Sequence, residues 1–253
     1  MKIISFNIWG GKILEPLLKF IDEESKSTDI FCFQEVLDSS APMEEDVEER
    51  HHLLEILKTK LPEFNYYFSP MQDGWDCGEA TDKRLTVGTA IFINKRIKVE
   101  SFDTTFVYRE RNGMVGTDMH TIPYNAQFLT FLDDSGKKIT IANVHGISDW
   151  PKTDTPARIT QSEIINEFLS KKNTSEIICG DFNLFPDTES VVMLTHGRKN
   201  LINDFGIQNT RTSLVPTPHV SDYFFVSQDL GVEDFLVPSL SASDHLPLVL
   251  VIS

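Results

Sequence analysis

The sequence is poor in cysteine, in basic residues and in long apolar runs. Only three cysteines occur among 253 residues, and Cys32 and Cys179 lie inside apolar segments typical of buried strands, which excludes a disulfide framework. No apolar stretch has the roughly 18 residues of a membrane-spanning helix, and no apolar segment precedes a small-residue cleavage site near the N-terminus. We therefore expect a cytoplasmic protein without membrane association.

Basic side chains are outnumbered, with 23 Lys and Arg against 38 Asp and Glu, and the formal charge is -15. Such a charge repels polyanions at long range. Lys and Arg also form no clustered run of the kind with which proteins displace counterions from nucleic acid. Long duplex DNA is therefore disfavoured as a substrate. The acidic run at residues 44–49 is interpreted as a solvated loop or helix entry without a function.

Repeats and linkers are absent from the sequence. There is no self-similarity with a period of about 20–50 residues and no Pro-, Ser- or Gly-rich segment that separates two halves. A hydrophobic content of 40% is enough for a sizeable core. We expect residues 1–253 to form one domain, and we expect a monomer.

Short apolar runs bounded by polar residues, Gly or Pro predict eight strands. They cover residues 2–7, 29–35, 87–94, 128–132, 138–145, 176–181, 222–226 and 247–252. Helical spacing of apolar residues predicts helices over residues 13–24, 49–61 and 156–169, the last of which begins after Thr155. This order of elements implies stacked layers of mixed sheet and helix rather than a purely parallel sheet.

Polar and acidic residues stand where the predicted strands meet loops. They are Asn7 in SFN, Glu35 in FQE, His145 in NVH, Asp181 and Asn183 in GDFN, Asp222 before YFFV, and Asp244 with His245 before LPLVLVI. If the last two strands run antiparallel to the others, all these groups meet at one rim. Each segment alone is typical of a turn or cap, but the ordered set is a much stronger signal.

A buried carboxylate without a partner costs several kcal/mol, so a rim of this kind predicts a bound cation. The candidate ligands are hard oxygen atoms, and the sequence offers no set of cysteines or clustered histidines that would favour zinc. We therefore expect Mg²⁺, with Mn²⁺ as the alternative, and Glu35 as its first ligand.

Seven segments, in this order, resemble the endonuclease/exonuclease/phosphatase superfamily, which includes deoxyribonuclease I and exonuclease III. They are SFNIWGG, FQEV, GTAIF, NVHG, GDFN, SDYFFVS and SASDHLPL, and they span nearly the whole chain. The resemblance implies an α/β (α+β) fold, a four-layer sandwich of two mixed β-sheets with helices on the outer faces. It also implies a divalent metal at one rim and metal-dependent hydrolysis of phosphate esters.

The resemblance also implies roles for individual residues. Glu35 corresponds to the principal metal ligand, Asn7 to a residue that positions the metal or the phosphate, and Asp244 to a carboxylate close to the metal.

The catalytic roles implied by the resemblance fall on five other side chains. Asp181 and Asn183 correspond to a pair that orients the attacking water. His245 corresponds to the catalytic histidine and Asp222 to the carboxylate that pairs with it. His145 corresponds to a second histidine that contacts phosphate, although the upstream carboxylate with which deoxyribonuclease-like members pair it has no obvious counterpart near Thr86 and Val87.

Substrate-binding residues are predicted in the variable segments. The segment HGISDWPKTDTPARITQ carries Trp150, Lys152, Arg158 and Gln161. It indicates either a stacking and phosphate-binding loop or, for Arg158 and Gln161, helix-start residues that bond to nearby loops.

Two further segments leave alternatives open. Arg109 and Arg111 in YRERNG indicate either the exposed face of a strand or a small phosphate-binding patch. Trp75 either stacks on a base or headgroup or packs its own loop.

The sequence therefore predicts a metal-dependent phosphoesterase. A phosphodiester in a nucleotidic substrate, such as short or single-stranded nucleic acid, is the first candidate substrate. The alternative is a small-molecule or lipid-headgroup phosphate. A lipid substrate is disfavoured, because the sequence has neither a WCDRI-like signature nor an extra hydrophobic anchor. A third reading, an inert binding module, is disfavoured because every expected catalytic side chain is present.

Overall fold

The computed structural model describes residues 1–41, 48–81 and 84–253, so residues 44–47 of the acidic run lie outside the described residues. The strands in chain order are β1 Lys2–Asn7, β2 Ile30–Ser39, β3 Phe64–Asp73, β4 Trp75–Asp76, β5 Glu79–Ala80, β6 Leu85–Asn94, β7 Lys98–Tyr108, β8 Tyr124–Leu132, β9 Lys138–His145, β10 Ser175–Asp181, β11 Arg198–Asn200, β12 Asp222–Ser227, β13 Val232–Leu236 and β14 Leu248–Ile252. The helices are α1 Leu14–Glu24, α2 Leu53–Lys60, α3 Pro156–Ser170, α4 Glu189–Leu194 and α5 Leu201–Asp204, with 3-10 turns at Trp9–Gly11, Glu49–His52 and Met119–Thr121.

Two six-stranded sheets carry the fold. The first has the strand order β13-β14-β1-β2-β6-β3, and the second has the order β11-β12-β10-β9-β8-β7. β1 runs parallel to β2 and β9 runs parallel to β10, while the other neighbours in these two sheets pair antiparallel. Both sheets are therefore mixed, as the sequence predicts.

The sheets pack face to face, and helices cover their outer faces. Phe20 of α1 meets Phe6 of β1 edge-on, with ring centroids 5.8 Å apart, and Phe168 of α3 stacks on Phe128 of β8 at 3.9 Å. The prediction of a four-layer sandwich of two mixed sheets with outer helices is confirmed. Among the helices of the described ranges, none combines the length and the apolar character needed to cross a membrane.

A chain of amide side chains crosses the interface between the two sheets. Gln34 on β2 donates to the carboxamide oxygen of Asn143 on β9 at 2.6 Å, and Asn143 donates to Gln127 on β8 at 2.9 Å. Gln127 then donates to the hydroxyl of Ser69 at 3.0 Å and to the carbonyl of Tyr67 at 2.8 Å, both on β3. The three amides have no exposed surface. Since a buried amide without partners costs about 1–3 kcal/mol, this network helps to fix which strands face each other.

All eight predicted strands are present, and all eight are interior strands of the two sheets. The strands that the sequence prediction missed include the four sheet edges, β3, β7, β11 and β13. In β7, only Val107 among eleven residues is buried. An edge strand pairs on one side alone, so it needs no continuous apolar run and resembles a loop in sequence. The predicted helix over residues 49–61 begins as the 3-10 turn Glu49–His52 and continues as α2.

β2 continues to Ser39, so the prediction that a strand ends at Glu35 is wrong. Pairing with β6 is interrupted by a bulge between Phe33 and Val36, and Glu35 adopts a left-handed φ of 57°. A β-bulge turns a side chain away from its regular direction without ending the strand. The bulge therefore brings the Glu35 carboxylate to the rim where a strand end was expected.

The substitution Asn143→Leu is expected to lower the free energy of unfolding by about 2–4 kcal/mol, because it leaves the buried amides of Gln34 and Gln127 without a shared partner. Chemical denaturation measures this change. Asn203→Leu, at an exposed helical position, is the control and is expected to change stability by less than about 0.5 kcal/mol. An equally small effect of Asn143→Leu would contradict a structural role for the network.

Candidate active site

The topology brings the polar strand ends to one rim of the sandwich. Asp181 at the end of β10 is in register with His145 at the end of β9 and with Asp222 at the start of β12. In the other sheet, Asn7 ends β1, and the segment with Asp244 lies just before β14, which runs antiparallel to β1. The antiparallel placement that the sequence argument required is therefore present at both later strands.

Asn7 connects the carboxylates of the two sheets. Its amide nitrogen lies 3.1 Å from Glu35 Oε1 and 3.1 Å from Asp181 Oδ2, and its oxygen accepts from the backbone N–H of Trp9 at 3.0 Å. Asn183 supports Asp181 from the other side through its backbone N–H at 3.0 Å and its side-chain nitrogen at 3.2 Å. Both Asn7 and Asn183 are buried, so these bonds hold the two carboxylates in fixed positions.

His245 is held by Asp222. Its Nδ1 lies 2.9 and 3.0 Å from the two carboxylate oxygens of Asp222, and its Nε2 lies 3.4 Å from Asp181 Oδ2. Asp222 also accepts from the hydroxyls of Thr210 at 2.7 Å and Ser221 at 2.9 Å. Burial lowers the pKa of His245, but the Asp222 and Asp181 carboxylates outweigh it and raise that pKa above its ordinary value. The geometry thus gives a connected chain from Asp222 through His245 to Asp181.

Asp181 is the most strongly perturbed acid of the rim. Burial disfavours its ionised form, yet the positive charges of His245, Lys152 and His145 hold its pKa well below the usual range. Asp181 is therefore a carboxylate at neutral pH. Such a group can accept a hydrogen bond from water and orient it, although its low pKa makes it a weak base.

His145 points its ring into the same space. Its Nε2 lies 3.7 Å from Glu35 Oε1 and 4.0 Å from Asp181 Oδ2, and the edge of the Tyr124 ring packs against it with centroids 5.1 Å apart. Neither ring nitrogen has a hydrogen-bond partner among the described residues, although both are buried. Two buried ring nitrogens without partners are suited to form hydrogen bonds with a group of the substrate.

Two carboxylates at the rim fit a divalent cation. Glu35 has no Lys or Arg within 4.0 Å in the described ranges, and the amide of Asn7 lies against it. Burial raises the pKa of Asp244, and repulsion from Glu35 and Asp181 adds to this shift, against the opposing positive charges of His245 and Arg211. A bound cation would relieve this crowding of carboxylates. Carboxylate oxygens suit Mg²⁺ or Mn²⁺, and Glu35 and Asp244 would hold the ion. Asn7 turns its nitrogen rather than its oxygen toward Glu35 and Asp181, so its direct ligation of the metal stays a prediction.

A second arrangement of donors is also close-packed. Asp181, Asp222 and His245 offer ligand atoms within 4.8 Å of one another. The oxygens of Asp222, however, already accept from His245, Thr210 and Ser221. A metal there would have to displace these bonds, so we assign this cluster to proton handling rather than to metal binding.

A cavity of about 170 Å³ opens onto these groups, and its lining is both polar and apolar. The polar rim residues in the lining are Glu35, His145, Asp181, Asn183, Asp244 and His245. Apolar and aromatic side chains in the same lining are Trp9, Met71, Trp75, Val87, Ile122 and Tyr124. Six of the eight predicted catalytic and metal residues therefore line one cavity, while Asn7 and Asp222 hold them from behind. Trp75, for which stacking and packing were both open, is buried and faces the cavity.

The sequence analysis missed one cation of the site and gave no specific role to another. Arg211 contacts His245 Nε2 and Asp244 through its guanidinium, and Lys152 contacts the carboxamide oxygen of Asn183. Both line the cavity. Burial lowers the pKa of Lys152. Arg211 lies in a loop without strand or helix pattern, so no sequence signal identified it, whereas Lys152 was visible in the segment after His145.

The prediction that Arg158 binds substrate is corrected by its placement. Its side chain has no exposed surface, and its guanidinium donates to the backbone carbonyls of Ile147, Asp149, Pro151 and Thr153 at 2.7–3.1 Å. Gln161 accepts from the backbone N–H of Ile147 at 2.9 Å. The helix-start alternative therefore describes both residues, and Arg158 organises the loop between β9 and α3.

The other predicted substrate-binding residues lie outside the cavity lining. Trp150 is 71% exposed and touches Phe185 edge-on, so it stands free at the surface of the same loop. Arg109 donates to the Gly113 carbonyl at 3.2 Å, and Arg111 pairs with Asp73 at 3.3 Å. Contact of these three residues with substrate remains a prediction and would require a ligand that extends beyond the cavity.

Comparison with known proteins agrees with this architecture. The sequence model of the Endonuclease/Exonuclease/phosphatase family matches residues 4–245. No protein of curated function matches the sequence. Among solved structures, the endonuclease/exonuclease/phosphatase from Bacteroides vulgatus superposes with a TM-score of 0.75 at 19% identity and covers 100% of this chain and 98% of that chain.

Two other similar structures carry functional names. The mannosyl-6-phosphatase of Bacteroides thetaiotaomicron VPI-5482 has a TM-score of 0.69 at 18% identity and covers 100% of this chain and 99% of its own. The human Nocturnin catalytic domain with bound sulfate has a TM-score of 0.69 at 20% identity and covers 100% and 93%. Identities this low show a shared fold alone. The family match extends over nearly the whole sequence, and this chain belongs to the Endonuclease/Exonuclease/phosphatase family.

Proposed function

We propose that this protein hydrolyses the phosphoester bond of a small substrate with Mg²⁺ or Mn²⁺ bound at Glu35. Members of its family are hydrolases that act on phosphoesters. The observation that carries the proposal is that Glu35, a carboxylate without a Lys or Arg partner in the described ranges, shares a cavity with the Asp181 and His245 side chains. A site for a cation thus lies beside groups that can orient water and hold a phosphoryl oxygen.

Each group of the chain has a defined task in this proposal. Asp181 Oδ2 accepts a hydrogen bond from the attacking water and orients it, and Asn183 keeps the carboxylate in place. Asp222 holds the proton on Nδ1 of His245, so that Nε2 faces the phosphoryl group. His145 offers a ring N–H to a second phosphoryl oxygen. A bound divalent cation supplies Lewis acidity and lowers the pKa of a coordinated water.

The shape and charge of the protein favour a small substrate over a polymer. The sequence analysis put a nucleotidic phosphodiester first and a small-molecule phosphate second. The cavity has apolar as well as polar side chains in its lining and a volume of about 170 Å³, and the protein carries a formal charge of -15. These features support a substrate whose phosphate and apolar part enter together, whereas a long nucleic acid would meet repulsion. Mononucleotides and short single strands are the nucleotidic substrates compatible with this view.

The enzyme is expected to hydrolyse a p-nitrophenyl phosphate ester in the presence of Mg²⁺ or Mn²⁺ and to lose this activity in EDTA. Asp181→Asn is expected to lower kcat by roughly 100-fold or more with a much smaller change in KM, because water orientation matters most in the transition state. Asp134→Asn, whose side chain is 94% exposed, is the matched control and should retain activity. The assay is run with p-nitrophenyl phosphate, a monoester, and with bis(p-nitrophenyl) phosphate, a diester. If the wild-type protein hydrolyses neither ester faster than Asp181→Asn does, the protein is an inert binding module.

Glu35→Gln is expected to weaken Mn²⁺ binding by about tenfold or more, because it removes the charged ligand of the site. Titration followed by electron paramagnetic resonance measures this affinity without any substrate. Glu167→Gln, on an exposed helical face, is the matched control. A larger loss of affinity in Asp222→Asn than in Glu35→Gln would instead assign the metal to the cluster of Asp181, Asp222 and His245.

A further inference from the structure

Two cations of the cavity have no task in the mechanism above. Lys152 stands after the His145 strand, and Arg211 stands on the segment that pairs with His245. Both line the cavity beside Asp181. Lys152 contacts Asn183, which donates to Asp181 at 3.2 Å, and Arg211 contacts His245, whose Nε2 lies 3.4 Å from the same Asp181 oxygen. The two side chains therefore approach one region of the cavity.

Lys152 is half-buried, and no carboxylate of the described residues pairs with it directly. Burial lowers the pKa of Lys152, the Asp181 carboxylate opposes this shift, and the positive charge of Arg211 adds to it. Lys152 contacts the neutral carboxamide of Asn183, and within the described ranges it has no carboxylate within 4.0 Å. Arg211 pairs with Asp244 through one end of its guanidinium, whereas its Nε is buried and has no hydrogen-bond partner in the described part of the chain. The unpaired charge of Lys152 and the free Nε–H of Arg211 are suited to receive an anion.

Both side chains are held by rigid surroundings. Arg158 donates to the carbonyls of Pro151 and Thr153, the two neighbours of Lys152, each at 2.7 Å. The backbone beside Arg211 is equally fixed, because Thr210 accepts from Leu246 N–H at 2.7 Å and Thr212 donates to the Asp244 carbonyl at 2.9 Å. Cations on such supports keep their positions when the cavity is empty, which is the condition for selective binding.

We propose that Lys152 and Arg211 recognise the extra charge of a terminal phosphate, so that the enzyme prefers phosphomonoesters to phosphodiesters. This inference rests on the proposed function and narrows its substrate class. A phosphomonoester carries a charge of about -1.5 to -2 at neutral pH and three free oxygens. A phosphodiester carries one negative charge and has a carbon substituent on the third oxygen.

The positions of the charges explain why this pair would discriminate. A cation held by Glu35 and Asp244 would neutralise the phosphoryl oxygens on the side that faces β1 and β2. Lys152 lies on the side of Asp181 and Asn183, and Arg211 reaches from His245 to Asp244. Both offer charged N–H donors to the oxygen that only the monoester leaves free. Hydrogen bonds between two charged groups are about twice as strong as neutral ones, so the loss of one oxygen charge is expected to weaken substrate binding strongly at this position.

Binding without turnover tests this inference directly. In the Asp181→Asn background with Mg²⁺, calorimetry compares phenyl phosphate with methyl phenyl phosphate, which differ by one methyl group and one charge. Phenyl phosphate is expected to bind at least about tenfold more tightly. Adding Lys152→Gln or Arg211→Gln is expected to reduce this ratio to below about threefold, whereas Lys152→Arg keeps it. Lys138→Gln, on an exposed lysine paired with Glu100, is the control.

The outcomes separate this inference from the proposed function. If phenyl phosphate binds more tightly than methyl phenyl phosphate but the wild-type protein hydrolyses no ester, recognition of the dianion is supported and the proposed hydrolysis is refuted. If the protein hydrolyses esters but the ratio of the two affinities is the same in Lys152→Gln, Arg211→Gln and Lys138→Gln, the inference is overturned and the proposed hydrolysis is supported. Thermal unfolding identifies a variant that does not fold. Lys152→Gln, at a half-buried loop position, decides the matter if Arg211→Gln is unstable.

Discussion

The crowding of carboxylates at one rim is the constraint on which the rest of this structure depends. Glu35, Asp181 and Asp244 converge there, and burial raises the pKa of Asp244, with repulsion from Glu35 and Asp181 as a smaller contribution. Charges that are withdrawn from water in this way require compensation by hydrogen bonds, by cations or by both. The amide of Asn7, the paired His245 and the guanidinium of Arg211 supply part of it. A divalent cation and a phosphoryl group would complete the balance, which explains why ligand binding and catalysis share one place.

The sandwich delivers these charges through its topology. Parallel pairing places the end of β1 beside Gln34 of β2 and brings the ends of β9 and β10 to the same rim, and the antiparallel strands β12 and β14 bring their starts there. The bulge at Glu35 adds a carboxylate from the middle of a strand. Rigid sheets hold this constellation, while the loop after β9, fixed by Arg158, adds a cation that the strands do not provide.

The sequence predicted the interior of this structure better than its margins, and the reason is physical. Strands such as β10, which is buried over nearly its whole length, carry a continuous apolar run and are therefore visible, whereas the edge strand β7 buries only Val107 and resembles a loop. The rim residues could be identified from the sequence because core packing does not explain a carboxylate at the end of an apolar strand. The sequence could not decide between the two interpretations of Arg158 and did not identify Arg211, since burial of the first and the site contact of the second depend on the path of loops in three dimensions.

The central claim is that the cation binds on the Glu35 side of the cavity and a phosphoryl group spans from it to Lys152 and Arg211. Anomalous diffraction from a crystal of the protein soaked with Mn²⁺ and inorganic phosphate tests both parts in one experiment. The account predicts a manganese peak coordinated by Glu35 and Asp244, with a phosphate oxygen within hydrogen-bond distance of Lys152 or Arg211. A manganese peak between Asp222 and His245, or phosphate bound away from both cations, would contradict it.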